Sequence, residues 1–156
     1  MALWLSVTGL AQEQLPTLVF QLTAEQAEQV YRGNFEEIQP ENIGLPVDSF
    51  YQPQDEQPRT VGHYLYVTPE LEDVRLQVES YHSFQVSQRN NDRDLALEII
   101  DQHGQKPLDA VVHLNRKRVP YDPITQTYRL QHRLKGGFLR IAVGNEVAFF
   151  NLTEAQ

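Results

Sequence analysis

From Val61 onward, apolar and polar residues alternate in short runs separated by turn residues. This is the period-two pattern of half-buried strands. It is clearest in Leu95 to Leu114, LALEIIDQHGQKPLDAVVHL. Leu95, Leu97 and Ile99 alternate with Ala96, Glu98 and Ile100, which predicts a strand. Asp101 to Gly104 form a turn in which Gly104 takes positive φ at little steric cost. Pro107 sets a fixed φ and donates no hydrogen bond, and Ala110, Val112 and Leu114 then make a second inward row. GHYLYVTP, DVRLQVES and HSFQVS supply three earlier strands, with Val74, Leu76 and Val78 on one face of the second and Arg75, Gln77 and Glu79 on the other. Gln88 to Asp92 and Asn115 to Arg118 are turns. VPYDPITQTYRL is a bend and then a strand ending at Tyr128 and Leu130. Gly136 and Gly137 open FLRIAV and VAFFNL, joined by the hairpin signal Gly144-Asn145. Short strands at regular spacing predict a mainly β fold, a sandwich or a barrel, over residues 61–153.

The first part of the chain is patterned differently. Leu15 to Leu22 predicts a short strand interrupted early by Pro16. Thr23 to Arg32 predicts a short helix, with Thr23 and Gln26 at capping-box spacing and Gly33 to end it. A helix this short is marginal in water and must dock on something. Asn34 to Thr60 carries Pro40, Pro46, Pro53 and Pro58 among Gln, Glu and Asp. That density precludes a sheet centre or a long helix and predicts an extended connector, docked in part by Ile43, Leu45, Val47, Phe50 and Tyr51. Residues 12–60 are therefore expected to be helix plus proline-rich arm. Met1 to Ala11 is apolar and uncharged. It is too short to span a membrane as a helix. It resembles the second half of a secretory signal peptide, with Gly9 and Ala11 placed like a cleavage site but without the basic leader. The alternative is a first strand packed on the core.

A length of 156 residues is enough for a core without staples. The net charge of −8 argues against nucleic acid as a partner, because phosphate backbones reward a basic face. Arg116, Lys117 and Arg118 form the only dense basic cluster, which a solvated turn explains. The chain has no cysteine, so no disulfide, thiolate zinc site or thiol nucleophile exists within it, and this fits an oxidising compartment.

No catalytic, cofactor or metal residue is assigned. His63, His82, His103, His113 and His132 form no His-x-His or His-x-x-x-His pair. Asp92 and Asp94 offer oxygen ligands in a turn but lack the spacing of a calcium loop. Glu36 and Glu37 are adjacent and, in an extended segment, point opposite ways. Neither a Gly-x-Ser-x-Gly elbow nor a phosphate-cradling glycine loop is present. Asn151, Leu152 and Thr153 match a glycosylation triplet, but within a predicted strand. Tyr64, Tyr66, Tyr81, Tyr121, Tyr128, Phe138, Phe149 and Phe150 are core and cross-strand residues in the simpler reading and a platform for glycan or peptide in the other.

At Asp101, Gly104, Pro107, Leu108, Ala110, Val112 and Leu114 the chain resembles a motif of secreted seven-stranded sandwiches, carried by carboxypeptidase regulatory-like and macroglobulin-type domains. GHYLYV, Asn90 to Leu95, Tyr121-Asp122 with Thr125 to Leu130, GGFLRIAV, VAFFNL, and PVDSF at Pro46 to Phe50 resemble the amino-terminal region of large bacterial alpha-2-macroglobulin-like proteins. The resemblance implies an antiparallel seven-stranded immunoglobulin/macroglobulin-like sandwich. It also implies a non-catalytic module of an exported chain (periplasmic, cell-surface or secreted). Its partners would be neighbouring domains or another protein, and some such parents trap or inhibit proteases. The family's reactive thioester needs a cysteine, which this chain lacks.

Overall fold

The computed structural model describes residues 15–51, 59–90, 94–131 and 136–152. Met1 to Ala11, Asp92, His132 and Thr153 lie outside them. In order the elements are β1 (Thr17–Leu22), α1 (Ala24–Tyr31), a 3-10 turn (Phe35–Glu37), α2 (Pro40–Ile43), β2 (Asp48–Phe50), β3 (Gly62–Pro69), β4 (Val74–Tyr81), β5 (Gln85–Asn90), β6 (Leu95–Ile100), β7 (Val111–Leu114), β8 (Lys117–Arg118), β9 (Tyr121–Asp122), β10 (Thr127–Leu130), β11 (Gly137–Val143) and β12 (Glu146–Leu152). Among the described residues these 12 strands make three four-stranded sheets, ordered β2-β1-β3-β4, β5-β6-β10-β9 and β12-β11-β7-β8, with antiparallel pairing throughout.

This corrects the expectation of one seven-stranded sandwich. GHYLYVTP and DVRLQVES are β3 and β4 of the first sheet, where β3 pairs with β1 from Leu18↔Val67 to Leu22↔His63. The physical reason lies in β3 itself. Leu65 and Tyr64 point to opposite faces, yet they are only 2% and 5% exposed. Such two-sided burial is that of an inner strand with material packed on both faces, and β3 accordingly lies between β4 and the early strand β1. Alternation reveals that a strand exists but not which sheet it joins.

The second and third sheets face one another across the main core. Leu95, Leu97, Ile99 and Tyr128 come from one layer, and Val112, Leu114, Leu139, Ile141 and Ala148 from the other. β6 and β7, the two rows of the Leu95–Leu114 stretch, therefore meet face to face instead of pairing. The Asp101 carboxylate holds the start of the crossover by accepting from the His103 and Gln105 amides, both at 2.9 Å, and Gly104 supplies φ +76°. The Tyr128 hydroxyl donates to the Pro107 carbonyl at 2.8 Å and ties the middle down. β8 and β9 are one extended run broken at Val119-Pro120. Pro120 lacks an amide proton, and the chain passes there from the third sheet to the second with Val119 sealed in the core at 1% exposure.

α1 starts on the expected capping box. The Thr23 hydroxyl accepts from the Gln26 amide at 3.2 Å, and the Gln26 side chain accepts from the Thr23 amide at 3.0 Å. Gly33 at φ +86° follows its end. The proline-rich segment is not extended throughout. Glu36 and Glu37 sit in the 3-10 turn, and Pro40 opens α2, where its missing amide proton costs no helix bond. β2 then adds to the edge of the first sheet. Arg59 fastens this arm, donating to the Tyr66 hydroxyl at 2.8 Å and to the Asp48 carboxylate at 2.9 Å. The Arg59 hydrogen bond holds the Asp48 carboxyl below its ordinary range.

Candidate functional site

Parity along β11 and β12 assigns two jobs to adjacent residues. Leu139, Ile141, Ala148, Phe150 and Leu152 point into the sandwich, while Phe138, Val147 and Phe149 point out of it. Outward aromatics on a strand need cover. α1 and the first sheet provide it through Ala27, Val30, Leu22 and Leu65, which form a second core with Phe138 and Phe149. Phe149 is its centre, with ring centroids 5.5 Å from His63, 5.6 Å from Tyr31 and 5.7 Å from Phe138. This is the dock that so short a helix requires.

A polar row runs along the same joint. Ser80 on β4 bonds the His63 Nδ1 at 2.7 Å and the Tyr31 hydroxyl at 2.8 Å. A Ser–His pair resembles half of a hydrolase triad. Here the histidine is 6% exposed and uses Nδ1 toward the serine, no described carboxylate bonds its other nitrogen, and the serine is shared with Tyr31. The row therefore joins β3, β4 and α1. The link from β4 to β5 is also fixed. The Glu146 carboxylate accepts from the Ser83 amide at 2.8 Å and from its hydroxyl, and His82 stacks on Phe84 at 4.5 Å.

Burial pushes the His63 imidazole below its ordinary pKa, and His82 adds to the shift. Free histidine titrates near about 6.5. Between that value and the lower folded one, the unfolded chain binds more protons than the folded chain, so stability falls as pH falls. The urea midpoint is expected to drop as pH is lowered from 7.5 to 5, and His63→Gln is expected to flatten that slope. An identical slope in the variant would remove His63 as its source.

Beyond the cover of α1, the outer face of the third sheet opens into a cleft of about 280 Å³ lined by Glu28, Arg32, His113, Arg116, Phe138 and Arg140. Arg32 bonds Glu28 at 3.0 Å, and its guanidinium lies 4.1 Å over the Phe138 ring. Arg140 follows Phe138 at the same parity and pairs across strands with His113, which in turn pairs with Arg118. Arg116 projects from the turn at Asn115-Arg116, whose φ values of +49° and +69° are clamped by the Asn115 side chain accepting from the Phe138 amide at 2.8 Å. A Cβ on Gly137 would lie 2.9 Å from side-chain atoms of Asn115 and Leu114, so a larger residue there would displace the Asn115 clamp.

The residues singled out in the sequence are dispersed. His63 and His82 lie at the joint, His103 is exposed in the crossover loop and His113 lines the cleft. No group of three or more His, Asp or Glu side chains able to hold a metal occurs among the described residues. Asp94 forms an ion pair with Arg129. Asn151 is on β12 and bonds the Tyr31 carbonyl through its side chain at 3.3 Å. Tyr64, Tyr128, Phe138 and Phe149 are buried, and Tyr66, Tyr81, Tyr121 and Phe150 are half-buried, so these eight rings make no open platform. The sequence pattern did not bring Arg32 and Arg140 to the Arg116–Arg118 cluster. The signal was present in parity, since Arg140 must share the outward face of Phe138.

No protein-family model matches the chain. No curated protein matches it either. Among solved structures it is similar to a crystal structure of native alpha-2-macroglobulin from Escherichia coli spanning domains MG0-NIE-MG1, with a TM-score of 0.62 and 12% identity over 88% of this chain. The fold is macroglobulin-like. The match takes in 54% of that chain, so this macroglobulin-like fold corresponds to about half of the solved fragment. At this identity the likeness concerns architecture, and it agrees with the family resemblance carried by the motifs from Pro46 to Leu152.

Proposed function

We propose that the chain is a non-catalytic structural and interaction module of a larger, exported macroglobulin-like protein. One observation carries this reading. α1 and the first sheet share a buried aromatic joint with the outer face of the sandwich, centred on Phe149 at 5% exposure. Such a joint holds two layers at a set angle and presents their remaining faces to neighbours. The division between the two units falls near His82, where β4 hands over to β5. The multidomain nature of the similar structure supports neighbouring modules as the first partners. The absence of cysteine fits passage to an oxidising compartment. No helix among the described residues is long and apolar enough to cross a membrane. Capture of proteases belongs, on this reading, to the parent and not to this module.

The test is the native gene product. Mass spectrometry on fractionated cells is expected to find this sequence in a polypeptide that carries further β-sandwich modules and sits outside the cytoplasm. An 18.0 kDa polypeptide confined to the cytoplasm would overturn the proposal.

A further inference from the structure

We infer that the cleft beside α1 docks an acidic segment of a protein partner, taking Asp or Glu carboxylates on Arg116 and Arg140. The inference rests on the interaction-module reading and names the chemistry of one partner.

Charge distribution is the first support. The chain carries −8 overall, yet Arg32, Arg116, Lys117, Arg118 and Arg140 gather around one end of the third sheet and account for five of its 13 lysines and arginines. The outward positions of β7, β8, β11 and β12 that follow from the register contain Arg118, His113, Arg140 and Phe138 but no Asp or Glu. In a chain with 21 acids this is a segregated face.

The second support is pairing. Arg32, Arg59, Arg75, Arg89 and Arg129 each have a carboxylate within 4.0 Å. Among the described residues, Arg116, Arg118 and Arg140 have none. Glu28, the single acid in the cleft wall, is already engaged by Arg32. Guanidinium forks match carboxylates bidentately. Arg140 is half-buried in a concave site, where such pairs are screened less than on open surface.

The third support is shape. The Asn115 clamp holds the backbone turn that carries Arg116 against Phe138, and stacking on Phe138 positions Arg32. The turn that carries Arg116 is therefore set before binding, which lowers part of the ordering cost. A volume of about 280 Å³ suits one or two side chains of a docked segment. The local cationic face matches carboxylates, and the interaction-module reading makes their carrier an acidic segment of a protein.

The experiment uses the full chain and a decamer of glutamate carrying a neutral dye, with a glutamine decamer as control, followed by fluorescence anisotropy. Saturable binding of the glutamate peptide alone is expected, weakened at least tenfold in Arg116→Glu/Arg140→Glu and lost at 0.5 M salt. The distant exposed substitution Arg75→Glu should leave it within twofold, and near-ultraviolet circular dichroism should be the same in all variants. No binding, equal loss in Arg75→Glu, or retention in the double variant would overturn the assignment. So would tighter binding of single-stranded DNA than of the peptide, or a self-associated dimer that accounts for occupancy. None of these outcomes bears on the mass and location of the native polypeptide, so the two proposals fail separately.

Discussion

Val112→Asp is expected to destabilise the fold by about 4 kcal/mol or more. Val112 is 0% exposed, on β7, facing the second sheet. An aspartate there places a carboxylate among Leu97, Leu139 and Ile141 with no cation or donor to meet it. Burying an uncompensated charge is among the few mechanisms that produce losses of this size. The neighbouring His113→Asp points outward toward Arg140 and Arg118 and is expected to change stability by no more than about 0.5 kcal/mol. Urea denaturation of both variants checks the pair. Equal losses would mean that β7 is turned the other way.

Phe149→Ala is the second large effect, at about 3–5 kcal/mol. The ring contributes nothing to the sandwich interior, because it points out of the third sheet. Its loss opens a cavity bounded by His63, Tyr31 and Phe138. The expected signature is regional as well as global. Hydrogen exchange should quicken first in α1 and β3, while β6 and β7 remain protected. A loss below about 1 kcal/mol, with α1 still protected, would show that the joint does not hold the layers together.

Much of the architecture was legible in local pattern. The inward rows Leu95, Leu97, Ile99 and Ala110, Val112, Leu114 all lie in the main core. The Thr23–Gln26 capping box and the Gly144-Asn145 hairpin are also present, because each depends on residues a few positions apart. Sheet membership was not legible. β3 and β4 alternate as sandwich strands would, yet they belong with β1, which precedes them by some forty residues of helix and arm. The proline-rich arm was misjudged for the opposite reason. Its prolines exclude long regular elements but permit one-turn helices and a three-residue edge strand, and these form because the first sheet offers an edge. The cleft was half legible. Arg116 to Arg118 was visible as a cluster, but its union with Arg32 and Arg140 needed the helix to dock on β12 and the register of β7 against β11.

By itself, the order of residues determined where strands, turns and the capped helix lie, which side of each strand is apolar, and that thiol chemistry is absent. Those properties depend on neighbours within a few positions. Only the folded chain decided that three sheets form among the described residues, that Phe138 and Phe149 close a second core beneath α1, and that arginines from distant segments share one cleft. Each of these requires long-range burial to choose among partners that local pattern leaves equivalent.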